Sequence, residues 1–280
     1  MVIFSTFHRF YAERLTITPL YFLNTTDALT LITEFGTATD EQSIVTLLRS
    51  LCQQMGFDHF RLGFISPSSI QRPDVRIFNG CPTEWVQVYN ERDFLAVDPV
   101  VRKGMVYSTP ILWANLITEC CDQQDAVGLE VMMLAREAGL RDGITIPWHG
   151  PNGHVGLLSL ITRTPRTEHQ WLSALPFLSW LATHIFEAVA RVCLSDTVPR
   201  EPLSQREQEV CKWAAEGKQV SDIAKILGIK PRTVTFHLER IVEKLGASSK
   251  NQAISLALKQ GMVRLNIDTA QVRNIDDSGC

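Results

Sequence analysis

Arg232, Thr235, Phe236, Glu239 and Arg240 fall along one side of a helical stretch. The other side carries Val234, Leu238, Ile241 and Leu245, at spacings of four, three and four. Such a helix can lay its N-terminal half in the DNA major groove, where short polar side chains reach base edges. Lys218, Lys230, Lys244 and Lys250 lie around it and suit phosphate contacts, which fix position without specifying sequence. Glu239 is acidic at a groove-facing position. Opposite phosphates it repels, whereas opposite cytosine N4 it accepts a hydrogen bond, so a sequence-reading role is expected. The alternative is a helical bundle with solvated charges. The length of the motif, and the agreement of its caps with its periodicity, weigh against that.

Four short helices position these residues. Ser204 followed by Glu207 is a capping box, and Val210, Trp213 and Ala214 then recur at helical spacing until Gly217. A second helix runs through Ile223, Ala224 and Leu227 to a tight turn at Gly228. The third starts near Pro231 and ends at Gly246. A short helix, a glycine turn and a longer helix make the helix-turn-helix pattern. Glu207, Trp213, Gly217, Ile223, Ala224, Thr233, Val234, Leu245 and Gly246 resemble the C-terminal DNA-binding domain of LuxR-type transcription regulators, over residues 203–263. The resemblance places Thr233 with the DNA-facing set. It also implies a fourth helix over residues 250–260 that helps the domain pair.

The 280 residues suggest two domains. A hydrophobic share of 45% and a charged share of 20% describe an ordinary globular chain. No apolar run approaches the ~20 residues that cross a bilayer. The opening MVIFSTFHRFYAERL is interrupted by His8, Arg9, Glu13 and Arg14, a poor signal peptide. Seven cysteines without paired spacing fit a reducing compartment, and no metal site is expected around Cys120 and Cys121. The expectation is a cytoplasmic protein with no membrane partner. The formal charge of −3 conceals an asymmetry: residues 200–265 carry +5, residues 1–199 carry −6 and the tail 266–280 carries −2. A locally basic end is what DNA binding by that end requires.

Residues 1–25 form an aromatic-rich extension without a clear period. Asp40 opens a helix with Ile44, Leu47, Leu48 and Leu51 on one face, ending at Gly56. Strand-like segments follow at 59–66 and 74–79, then a helix over 83–92 and another over about 124–138. Two more strands, 144–148 and 155–161, flank a Gly150–Gly153 hairpin turn, and a long helix over about 167–194 closes the domain. This order predicts an α+β chain. Its first part is an α-β-α sandwich around an antiparallel sheet, residues 26–194, and its second an all-α domain, residues 204–265. Residues 195–203 read as a linker, and 266–280 as a tail.

Trp85, Tyr89, Asp98, Pro99, Trp113 and Gly143 resemble the ligand-binding domain of LuxR-type acyl-homoserine lactone receptors. The resemblance implies that Asp98 accepts the ligand's amide hydrogen and that Trp85 donates its indole hydrogen to the ring carbonyl. It implies too that Ser159 serves the amide carbonyl, while Tyr89 and Trp113 wall the pocket. A mostly apolar cavity with few convergent polar groups suits such a ligand. Asp98 before Pro99 is also a helix-cap candidate. Two positions depart from the family pattern. Cys81 stands where a ligand-binding tyrosine is common, and Arg61 stands where the pocket residue is usually small or apolar. Arg61 is expected to snorkel to the surface; turned inward it needs an acceptor.

These readings predict a ligand-responsive regulator of quorum sensing that binds an acyl-homoserine lactone and uses no cofactor. A homodimer is expected on a palindromic double-stranded promoter site of about 20 base pairs, with RNA polymerase as the downstream partner. An orphan regulator responding to a non-lactone or host-derived small molecule is the alternative. A receiver-domain response regulator lacks support, since the acidic residues expected after its first and third strands are missing. A fused lactone hydrolase lacks it too, since there is no His-rich metal motif, G-x-S-x-G elbow or Gly-rich phosphate loop.

Overall fold

The computed structural model describes residues 25–67, 73–194 and 201–263. The N-terminal extension to residue 24, linker residues 195–200 and the C-terminal tail lie outside the described residues. The chain divides into two compact units, one built on a sheet and one wholly helical.

The first unit opens with α1 (Thr25–Thr37) and α2 (Glu41–Met55), followed by β1 (His59–Ser66) and β2 (Asp74–Asn79). Next come α3 (Thr83–Glu91), α4 (Pro99–Gly104), β3 (Ile111–Leu112), α5 (Trp113–Asp122) and α6 (Ala126–Glu137). The hairpin of β4 (Asp142–His149) and β5 (Val155–Thr162) leads into α7 (Glu168–Leu194). Asp40 caps α2 by accepting from the Ser43 amide, and Gly56 closes that helix in the left-handed conformation. The strands form one antiparallel sheet in the order β2-β1-β5-β4-β3.

Strand pleating sorts the side chains between two cores. Phe60, Leu62, Phe64, Ile144, Ile146, Leu158 and Leu160 point to one face, where α1, α2 and α7 cover them. Phe60, Phe64 and Phe186 are fully buried there, each worth about 1.5–3 kcal/mol relative to exposure. On the other face Trp85, Tyr89, Phe94, Trp113, Val131 and Met132 from the α3–α6 segment gather over Ile161. That second face holds the pocket.

Helix α7 corrects the expectation that no segment is long and apolar enough to cross a bilayer. Its 27 residues pass that test by length and composition. Trp171, Leu178, Leu181, Ile185, Phe186 and Val189 are buried in the first core, which accounts for its apolar character without a membrane.

The second unit contains α8 (Gln205–Ala215), α9 (Val220–Leu227), α10 (Pro231–Leu245) and α11 (Lys250–Lys259). The capping box forms as its sequence dictates: the Ser204 hydroxyl accepts from the Glu207 amide while Glu207 accepts from the Ser204 amide. Val210, Ile223, Val234, Leu238, Ile241, Leu245, Ala253 and Ala257 close a core of their own, with Leu203 buried among them. Gly228 adopts φ 64° between α9 and α10, the turn that sets the two helices.

Candidate ligand pocket and DNA-facing helix

The pocket lies between the second sheet face and α3–α6. Trp85, Tyr89 and Trp113 wall it, with Leu157, Val131 and Met132 among the apolar lining. Trp85 stands edge-on to Tyr89 at 5.6 Å between centroids and 6.4 Å from Phe94. Val75, Ile77 and Leu95 are lining residues that remain exposed, and they form an apolar rim. The free volume is about 70 Å³. Small-ligand clefts typically offer roughly 300–1,000 Å³, so side chains must shift to admit one.

Asp98 is both cap and pocket residue. One carboxylate oxygen accepts from the Val100 amide at 2.8 Å, starting α4, and the other accepts from the Tyr89 hydroxyl at 2.8 Å. Burial raises its pKa above the ordinary carboxylate value against the lowering effect of those two donors and of Arg61. Burial, and then Asp98, likewise push the Tyr89 phenol up.

Across the sheet a polar row runs through the apolar lining. The Trp113 indole donates to the Thr145 hydroxyl at 2.9 Å, and Thr145 and Ser159 share a hydrogen bond at 2.8 Å. When Thr145 donates, the Ser159 hydrogen is left for a carbonyl in the pocket. Thr145 pairs with Ser159 across β4–β5, Ser159 with Arg61 across β5–β1 and Arg61 with Asn79 across β1–β2, so the row runs through Arg61. Thr145 is absent from the expected site. Its period-two relation to Gly143, on the same strand face, was the signal that could have found it. Gly143 itself is fixed by contact: an added Cβ would lie 3.0 Å from the Trp113 ring and 3.1 Å from the Leu160 carbonyl oxygen.

Arg61 corrects the snorkelling expectation. Its side chain lines the pocket, with the guanidinium carbon 4.5 Å from the Tyr89 ring centroid. The strand pairing on both sides of β1 fixes this face, so a full-length stem at residue 61 enters the pocket rather than leaving it. Cys81 lines the pocket too, but its thiol donates to the Phe60 carbonyl at 3.4 Å. Burial pushes that thiol up to about 11. The structure thus brings all seven expected pocket residues, Arg61, Cys81, Trp85, Tyr89, Asp98, Trp113 and Ser159, around one cavity.

On the helical unit, Arg232, Thr235, Phe236 and Glu239 are exposed on α10, Phe236 to 54%. Lys218 and Lys230 are exposed as well, and Thr233 is half-buried. The Thr235 hydroxyl donates to the Pro231 carbonyl, and Arg240 pairs with Glu243 at 2.6 Å. Lys244 departs from its expected place. Only 7% of its side chain is exposed, and its ammonium donates to Glu207 at 3.0 Å, to Glu201 and to the Pro202 carbonyl. It is a strut between α10 and the start of α8, spent on protein rather than free for phosphate.

A mostly apolar pocket with a few polar groups lining it, in a chain that also carries a basic helix-turn-helix unit, defines a small-molecule-responsive DNA-binding regulator. Residues 40–189 match the family described as "Autoinducer binding domain", and residues 201–257 match "Bacterial regulatory proteins, luxR family". The chain belongs to the LuxR family of autoinducer-binding transcriptional activators. Transcriptional activator protein AhyR of Aeromonas hydrophila is 39% identical over 243 residues, 86% of this chain and 93% of that relative. Transcriptional activator protein SolR of Ralstonia nicotianae is 32% identical over 232 residues, 82% of this chain and 95% of its own. A solved structure of SdiA in complex with octanoyl-rac-glycerol aligns with a TM-score of 0.67 at 26% identity, covering 85% of this chain and 96% of that one.

Proposed function

We propose that this regulator is a receptor for an acyl-homoserine lactone that acts as a homodimer on a two-fold symmetric promoter site. The observation that carries the reading is the pocket's polar arrangement: Asp98 on one wall and the Thr145–Ser159 pair on the sheet, inside an aromatic enclosure. Asp98 would accept the ligand's amide hydrogen, and Ser159 would donate to the amide carbonyl. Trp85 would donate to the ring carbonyl, while the acyl chain would run toward the apolar rim at Val75, Ile77 and Leu95. Leaving any such group unpaired costs about 1–3 kcal/mol, which gives head-group specificity. Arg232, Thr235, Phe236 and Glu239 would face the major groove, with Lys218 and Lys230 on phosphates. RNA polymerase is the expected partner once the promoter is bound.

The test is expression with a panel of acyl-homoserine lactones and with none, followed by organic extraction of the folded protein. One lactone retained stoichiometrically is the expected result, and it should stabilise the protein by about 2.7 kcal/mol at a hundredfold excess over Kd. A stable dimer that binds DNA and retains no lactone would overturn the ligand assignment. The second reading is then a non-lactone amphiphile. It is favoured by the relative whose solved complex contains octanoyl-rac-glycerol.

A further inference from the structure

Arg61 is the polar group in the pocket that the proposed ligand contacts leave unused. Its Nη1 is buried and has no hydrogen-bond partner among the described residues. The pocket's carboxylate is near enough for Arg61 to lower its pKa, but the hydrogen bonds Asp98 accepts come from the Tyr89 hydroxyl and the Val100 amide, and Arg61 Nη1 donates to neither of its oxygens. The guanidinium carbon instead lies 4.5 Å from the Tyr89 ring centroid, a cation–π contact that satisfies no N–H donor with an acceptor oxygen. A buried donor left unmade is costly, and a charged one more so. The neighbouring Cys81 side chain is short, and its donor is already directed at the Phe60 carbonyl.

We infer that Arg61 is a specificity residue for an acceptor oxygen carried by the ligand near the start of its acyl chain. The placement follows from the sheet. Arg61 and Ser159 are direct partners across β1 and β5, so their side chains rise from one pleat level about 5 Å apart. A ligand whose carbonyl meets Ser159 therefore presents its next few chain atoms to the guanidinium. A keto or hydroxyl oxygen there accepts a charge-assisted hydrogen bond, and a carboxylate accepts two in the fork geometry. An unsubstituted chain offers neither, and would bury the guanidinium against methylene groups. This assignment rests on the pocket reading above, but it does not require the head group to be a lactone.

Two matched ligand pairs test it by calorimetry on the full chain. The first is decanoyl- and 3-oxodecanoyl-homoserine lactone; the second is 1-octanoylglycerol and its chain-oxidised counterpart bearing a 3-keto group. A 3-carboxy-decanoyl lactone serves as an anionic arm. Wild-type protein should prefer the oxygen-bearing member of a pair by about tenfold or more, and Arg61→Met should abolish the preference. Tighter binding of the carboxylate than of the ketone identifies an anionic ligand, and the reverse a neutral one. Preference in the glycerol pair alone would sink the lactone reading and keep Arg61's role. Equal affinities within both pairs, a preference that survives Arg61→Met, or no binding by any probe would overturn the inference. A control separates recognition from structure: ligand-free Arg61→Met should melt no lower than wild type, because it removes an unpartnered buried donor. A large drop in its melting temperature would show Arg61 to be structural and would equally defeat the assignment.

Discussion

Asp98 starts α4 through the Val100 amide, anchors Tyr89, and presents what remains of its carboxylate to the pocket. Asp98→Asn keeps an oxygen for the Val100 amide, so folding should survive with a loss of about 1–2 kcal/mol, while ligand affinity should drop more than tenfold. Calorimetric titration with the retained ligand reads the second number and thermal melts the first. The pH dependence has a definite sign. Burial holds the folded pKa of Asp98 above its unfolded value near 3.9, so the native state binds the extra proton. Its contribution is therefore most favourable below that value and is lost as pH rises through the folded pKa. The melting temperature of wild type relative to Asp98→Asn should fall as pH rises above about 3.9, since that comparison cancels the other carboxylates. At this scale the sequence revealed which residues surround the pocket, yet misjudged two long cations. Arg61 and Lys244 have stems that can reach either way, and only the strand register and the Glu207–Glu201 partners determine where each one ends.

Helix starts were the most legible elements, because a cap is a local bargain between neighbours in sequence. Asp40 and Ser204 were readable for that reason, and so were the left-handed glycines at 56, 228 and 246. Ser204→Ala should destabilise the helical unit by about 1 kcal/mol, measured by chemical denaturation. Glu207 carries the opposite pH sign to Asp98. Burial alone would raise its pKa, but the Ser204 amide and the Lys244 ammonium outweigh burial and hold it below the usual range. Its stabilising contribution is present above the unfolded value and is lost as pH falls through the folded one. Glu207→Gln should therefore flatten the acid limb of the unfolding curve. Other elements left little trace. Helix α1 has five threonines and Gly36 among thirteen residues, and strand β3 is two residues long. Tertiary packing makes them, through α7 for the first and β4 for the second. Gly143→Ala would push the Trp113 ring off Thr145. It should cost about 1–3 kcal/mol and weaken ligand binding with it, both visible in ligand-dependent melts.

Across the whole chain, charge separates the two halves more sharply than any motif does, with +5 over residues 200–265 against −6 over residues 1–199. Operator affinity should fall steeply with salt, and Lys230→Ala should reduce the slope of log K against log salt by about one. Lys244→Ala should leave that slope unchanged and lower the melting temperature instead, since its ammonium is spent inside the protein. Fluorescence anisotropy on one promoter fragment distinguishes the two. The two-domain α+β plan was legible because strand alternation and helix periodicity each extend over whole segments. The division of labour between the sheet's faces was not, since nothing in a period of two says which side will hold a cavity. That division has a longer consequence. Even-numbered residues of β1 and β5 maintain the scaffold with α1, α2 and α7, while odd-numbered ones such as Arg61 and Ser159 meet the ligand. A lineage can thus exchange one signal for another by single replacements on the odd side, with the heritable framework left intact. New chemical dialects can arise there without founding a new protein.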